Sequence, residues 1–324
     1  MSRLKPFAFL IGLALIGYIV STLNLHAVWD RVRQLNPGLF FLAVLAGTPE
    51  ILFKALRLKT FVAKAKSHIS VKHSLLAFLS GQPLAAVTPG KLGDVSRIVL
   101  LSRFGKISMP TALAVHAADR IYDLASIVLL AVIGLVSYIS EFSQGGPAIG
   151  TFIGMLCGML LILALVNPRW MKFVLKPLVA GLLSKKLAGQ ISHHAKEFND
   201  RLHSLLIPSF KIFGPFVLSF LAWETAILRS YLLAMALGLP LSYLKFVLLV
   251  PVMVVVELLP ISILGFGPRE TALFMLFTTN NLHHEDLVVF SVLMAVGGPV
   301  FTALLGIPAA VQMIPPESRS HDPS

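Results

Sequence analysis

Charge is scarce in this sequence: Asp, Glu, Lys and Arg make up 13% of its 324 residues, while 56% are hydrophobic. That balance, with a mean hydropathy of +0.83, lies outside the range of water-soluble globular domains. Cysteine is almost missing as well. The single one, Cys157, sits inside an apolar run with no second cysteine to pair with, which excludes an intrachain disulfide and reads as packing. Nucleotide-binding loops, nucleophile elbows and Cys/His metal motifs do not occur. Without them, ATP-driven transport and hydrolysis have no support, and the chain is expected to be no enzyme and to need no cofactor.

Long apolar runs are what the sequence does have. Stretches of about 20 mostly apolar residues are each long enough to cross a hydrocarbon core of about 30 Å. The net charge of +12 would suggest nucleic acid in a soluble protein. Here the Lys and Arg residues gather between the apolar runs, as the positive-inside rule requires, so no nucleic-acid partner is expected. The basic start followed by an apolar stretch resembles a secretory signal, but no small-x-small cleavage site follows, and a retained first helix is the reading taken.

Orientation follows from the densest basic stretch, Lys54, Arg57, Lys59, Lys64, Lys66 and Lys72, which belongs in the cytoplasm. Helices over about 6–25 and 38–53 then leave and re-enter the cytoplasm. Spans over 109–140, 148–166, 210–237 and 287–310 complete six crossings and leave both termini inside. Between two of them, residues 168–208 carry Arg169, Lys172, Lys176, Lys185, Lys186, Lys196 and Arg201 among apolar residues at helical spacing. This segment reads either as an amphipathic helix on the anionic inner leaflet or as a plain basic loop. The expected architecture is an all-α integral membrane protein of the inner membrane, with one domain over 1–314 and a polar tail over 315–324.

Two segments do not fit as simple spans. Residues 71–103 are broken at Thr88-Pro-Gly-Lys-Leu-Gly-Asp-Val-Ser-Arg97, and residues 246–279 at Pro260-Ile-Ser-Ile-Leu-Gly-Phe-Gly-Pro-Arg-Glu270. Each is expected to be a re-entrant hairpin, one from each face, because an arm of either is too short to span. The breaks share an order of residues: Pro, then Leu-Gly, then an acid and an Arg opening a short helix. Such an inverted repeat with discontinuous helices suits a transporter-like bundle whose breaks meet near the midplane and line a polar cavity.

An arginine in hydrocarbon costs at least about 2.5–3.5 kcal/mol, so Arg97 and Arg269 each need a carboxylate, a cavity or an anionic ligand. The planar guanidinium fork matches phosphate oxygens, and a helix N-terminus adds unpaired N–H groups. Pro89, Gly90, Lys91, Gly93 and Asp94 at the first break, and Pro260, Gly265, Gly267 and Glu270 at the second, would let the backbone approach such an anion. Asp119, Arg120 and Asp123 on the long helix, and Glu257 before the second break, complete the candidate substrate-binding set. Asp119 or Asp123 is the expected partner of Arg97, and Glu257 that of Arg269. Glu50, Glu224 and Arg229 are further ionisable groups in apolar runs. Glu224 and Arg229 are five apart and point about 140° away from each other on a helix, so each is expected to find its partner elsewhere. His283-His284-Glu285-Asp286 reads as a wet loop, and Gly150, Gly154 and Gly158 as a stripe for close helix packing, within the chain or between two copies.

Taken in order, Thr88 to Arg97, Asp119-Arg-Ile-Tyr-Asp123 and Leu259-Pro-Ile-Ser-Ile-Leu-Gly-Phe-Gly-Pro-Arg-Glu270 resemble the lysylphosphatidylglycerol synthase transmembrane region, a flippase-like family, over nearly the whole chain. The family includes the flippase half of the multiple peptide resistance factor, which moves aminoacylated phospholipid to the outer leaflet. Two departures stand out. Asp94 occupies a place where Glu is frequent, and no soluble aminoacyltransferase domain follows, so this chain by itself is not expected to make lysyl-lipid. The resemblance implies a lipid translocase that carries a phospholipid or polyprenyl-phosphate-type lipid, with a separate transferase as a candidate partner. A secondary transporter of a small anion or ion-coupled solute, and a non-transporting subunit that positions a glycosyl- or aminoacyltransferase, are the alternatives the residues leave open.

Overall fold

The computed structural model of the chain describes residues 25–87, 94–142, 185–206, 213–257, 267–277 and 282–311. Among them every regular element is a helix. In chain order these are α1 (Leu25–Arg33), α2 (Pro37–Lys64), α3 (Val71–Ser80), α4 (Gln82–Val87), α5 (Asp94–Gly105), α6 (Met109–Phe142), α7 (Lys185–Leu206), α8 (Phe213–Ala236), α9 (Tyr243–Glu257), α10 (Pro268–Phe277), α11 (His284–Ala295) and α12 (Phe301–Val311). A π-helical segment, Val296–Val300, joins α11 to α12 without a break. Four helices are long and apolar enough to cross a membrane: α2, the Met109–Ser137 part of α6, α8, and the continuous rod His284–Val311. The expected spans over 6–25 and 148–166, Cys157, the glycine stripe and the polar tail lie outside the described residues.

Local chemistry sets where these helices start. Asn36 accepts the backbone N–H of Leu39 at 3.1 Å, and Pro37 follows it at the first helical position of α2. Ser70 caps α3 by accepting the N–H of His73 at 3.2 Å. The π segment Val-Gly-Gly-Pro-Val contains Pro299, which cannot donate to the ladder, beside two glycines that tolerate the wider turn.

Two expectations change. Helix α2 does not stop near residue 53 but runs on to Lys64, so Lys54 and Arg57 are helix residues within the bundle and not part of a basic loop. The cause is periodicity: Ile51, Ala55, Leu58 and Phe61 keep one apolar face through the basic stretch and are buried along it. Within 168–208, residues 185–206 form α7, and its spaced residues Phe198, Leu202 and Leu205 pack into the protein core. At its flank the Ser108 hydroxyl, just before α6, donates to Glu197, and Thr111 donates to the same carboxylate at 3.1 Å. The Ser108 bond holds the Glu197 carboxyl below its ordinary range.

The interior divides into two apolar clusters. One gathers the C-terminal half of α2, α3, the start of α6 and α7, including Leu58, Phe61, Phe78, Val115 and Leu205. The other gathers the start of α2, the later part of α6, and α8 to α11, including Ala43, Leu135, Leu233, Phe246 and Phe290. Helix α2 therefore runs antiparallel to α6 and α8. Its contact with α8 is the most extensive in the bundle, followed by that of α6 with α9.

Close backbone approach holds the second of these contacts. A Cβ on Gly134 of α6 would collide with the Leu248 carbonyl of α9, and one on Gly306 of α12 with the Leu79 carbonyl of α3. Valine at either position is expected to destabilise the protein by about 1–3 kcal/mol through overpacking. Gly214→Ala, where a Cβ meets nothing within 4 Å, should stay within about 1 kcal/mol. Thermal unfolding in detergent compares the three; equal stabilities would refute the packing argument.

Candidate functional site

Charged side chains collect between the two apolar clusters, on the three helices that cross both. Arg57 of α2 is fully buried. Its Nε donates to Asp119 Oδ1 at 2.7 Å, and its Nη1 donates to Asp123 Oδ1 and to the Ser219 hydroxyl oxygen, each at 2.8 Å. One guanidinium thus binds two carboxylates a turn apart on α6 and a hydroxyl on α8. Ser219 passes its own proton to the Pro215 carbonyl at 2.9 Å, and the Trp223 indole donates to the Asp123 carbonyl at 3.3 Å.

A second knot lies further along the same helices. Glu50 of α2 accepts from Lys54 and from Arg229 of α8, each at 2.6 Å. The Lys54 ammonium also sits 4.8 Å above the Trp223 ring. At 1.5 Å per residue, Arg57 lies about 10 Å from the end of α2 at Lys64, Asp119 about 15 Å from the start of α6, and Glu50 about 21 Å from Lys64. Measured along the helices, this polar layer lies about two to four turns in from those ends.

Asp119 and Asp123 are thus partners of Arg57, not of Arg97 as expected. The sequence reading missed Arg57 because it took the Lys and Arg run as a loop. The available signal was the spacing of Glu50, Lys54 and Arg57 at i, i+4 and i+7, one helix face matched to the i, i+4 pair Asp119 and Asp123. Arg120 lies beside Asp123 at 3.9 Å and is partly exposed. Glu224 and Arg229 find separate partners, as expected: Glu224 accepts from the Tyr243 hydroxyl of α9, and Arg229 binds Glu50.

The residues that open the two short helices are both buried. Arg97, in the first turn of α5, is 1% exposed; its guanidinium lies 4.7 Å from the centre of the Phe78 ring, and its Nη2 donates to the Phe78 carbonyl at 3.4 Å. Arg269, in the first turn of α10, is 3% exposed. Its Nε and Nη2 donate to the two oxygens of Glu257 at 2.6 and 3.2 Å, the pairing expected from sequence, and its Nη1 donates to the Ser291 carbonyl at 3.3 Å. Glu270 accepts the backbone N–H of Gly267 at 2.5 Å and the Ser291 hydroxyl. Gly267 holds φ +95, a conformation that suits glycine and aims that N–H back at the carboxylate. Pro89, Gly90, Lys91, Gly93, Pro260 and Gly265 lie outside the described residues. The helices that flank the two breaks share α6 as a neighbour and otherwise pack on different ones: α3 and α5 on α2 and α12, and α9 and α10 on α8 and α11. Among the described residues no cluster of His, Cys, Asp and Glu could hold a metal ion.

Residues 7–306 match the family described as the lysylphosphatidylglycerol synthase TM region. The chain belongs to that family. A search of the curated proteins found no match. Within a membrane-protein family a buried Arg–Asp–Asp network at span depth has a definite energetic meaning. Removing one partner strands the rest, which costs about 3–5 kcal/mol, while replacing all of them with apolar residues is often neutral. Arg57→Met is therefore expected to be severely destabilising. Arg57→Met/Asp119→Leu/Asp123→Leu should regain most of that stability, and Lys72→Ala at the exposed start of α3 should change it by no more than about 0.5 kcal/mol. Thermal unfolding of the four proteins tests this; a triple variant no more stable than Arg57→Met would show that the network contributes more than charge compensation.

Proposed function

We propose that this protein is a lipid translocase that moves a phosphate-bearing headgroup across the cytoplasmic membrane while the acyl tails stay in lipid. The observation that carries the reading is the pair of arginines, Arg97 and Arg269, each buried in the first turn of a short helix that follows a break in a long apolar segment. Guanidinium groups so placed offer a bidentate match to phosphate oxygens at the start of a helix. A lipid phosphate needs such a path, since idealised transfer of one ion into low dielectric costs of order 20 kcal/mol. Membership in the family described as the lysylphosphatidylglycerol synthase TM region agrees with a lipid as the substrate.

In this proposal α3–α5 and α9–α10 are re-entrant hairpins from opposite faces, the remaining long helices make six spans, and both termini are cytoplasmic. The chain performs no bond-making chemistry. A separate transferase that makes the lipid is a natural partner, and the chain acts alone or as a homo-oligomer. The basic residues Lys59, Lys64, Lys66, Lys72, Arg103, Lys106, Lys196 and Arg201 all fall at the end of the bundle held by the first apolar cluster, which suits a cytoplasmic face.

Reconstitution into liposomes with headgroup-labelled phospholipids tests the function. The protein should speed loss of signal to a membrane-impermeant quencher, and Arg97→Lys and Arg269→Lys should each slow it by about tenfold, as a point charge replaces the fork. Rates no faster than those of protein-free liposomes would overturn the proposal. For orientation, Lys185→Cys in a Cys157→Ser background should resist an impermeant thiol reagent added to intact cells; rapid labelling from outside would invert the topology.

A further inference from the structure

The guanidinium of Arg269 donates to Glu257 and to the backbone of Ser291. Glu257 takes the edge formed by Nε and Nη2, one of the two edges whose parallel donors fit a planar or tetrahedral oxyanion. The Ser291 carbonyl takes Nη1, and no anion can approach there without meeting that carbonyl's own negative end. The backbone N–H of Gly267, just before α10 begins, is taken by Glu270. A ligand phosphate that takes the Nε/Nη2 edge of Arg269 therefore meets a carboxylate of the same chain already in place.

From this we infer that Glu257 is a specificity-determining residue: it occupies the phosphate position on Arg269 as an internal competitor, and it yields to an anion that can present two oxygens at once. On the arginine side the exchange is balanced for such an anion, because both charge-assisted hydrogen bonds are remade as they are lost, and the displaced Glu257 carboxylate, 19% exposed in the ion pair, turns to water. It is unbalanced for chloride or any ligand with one point of contact, which leaves one buried donor unmade. Glu257 is the last residue of α9, and residues 258–266 between it and α10 carry no charge. No charged side chain of that connection can therefore replace it on Arg269. The inference rests on the phosphate reading of Arg269 given above, and it adds the residue that selects the ligand.

The test uses the full chain in maltoside micelles, which contain no phosphate. Phenylglyoxal modification of Arg269 is followed by mass spectrometry with exposed Arg103 as the internal reference, while inorganic phosphate, phosphatidylglycerol or chloride is added. In the wild type Arg269 should react more slowly than Arg103. Glu257→Gln should speed its modification, and phosphate should protect that variant at about tenfold lower concentration than the wild type, since the competing charge is gone. Chloride should protect the variant and not the wild type. Protection by phosphatidylglycerol and not by inorganic phosphate marks a lipid headgroup as the source; the reverse marks a free anion, and either agrees with the role of Glu257. If Glu257→Gln does not fold, Glu257→Asp keeps the charge but cannot reach both donors, and it should give intermediate protection. An unchanged or higher phosphate requirement in the folded variant, or chloride acting as well as phosphate on the wild type, would overturn the inference. A lack of lipid movement in liposomes alongside the predicted anion exchange would instead overturn the translocase reading alone.

Discussion

Arg57 of α2 bridges Asp119 and Asp123 of α6 and the hydroxyl of Ser219 on α8, and a buried guanidinium cannot slide away from its carboxylates without stranding charge. Three membrane-length helices therefore share a fixed vertical register. The apolar clusters above and below could pack in several neighbouring registers, since hydrophobic contact is not directional. Directional bonds between ions remove that freedom. Glu50, held by Lys54 and Arg229, repeats the device further along α2 and α8. The short helices and the last helices pack around this frame.

Within the frame, the two breaks use similar residues with different surroundings. Arg97 lies against an aromatic ring and a carbonyl, and Arg269 lies in the fork of a carboxylate.

Much of this was legible before any coordinates. The helical class, the membrane-length helices α6, α8 and the final rod, and the Arg269–Glu257 pair all follow from apolar run length and from the cost of an unpaired arginine. What sequence did not reveal was the neighbour of each charge. Charge counting placed Arg57 in a cytoplasmic loop, although the apolar face through Ala55, Leu58 and Phe61 carries α2 past it. Once Arg57 was assigned to water, Asp119 and Asp123 seemed available to Arg97. The partner of Arg57 lies 62 residues away, and a separation of that kind is fixed by how helices pack and not by local pattern. The same applies to α7, whose apolar side proved to face protein, a choice that a single amphipathic stretch does not encode.

The length of α2 has a consequence of a different sort. Its 28 residues make a rod of about 42 Å, against a hydrocarbon thickness of about 30 Å. The surplus requires tilt, or a turn or two that stands out among the headgroups. Because Arg57 ties α2 to α6 and α8, a tilt of one is a tilt of all three. Bilayer thickness then becomes a mechanical input to the bundle. A thinner membrane would lean the trio further over and change the angle at which the polar layer meets the short helices, without touching any residue of the layer itself.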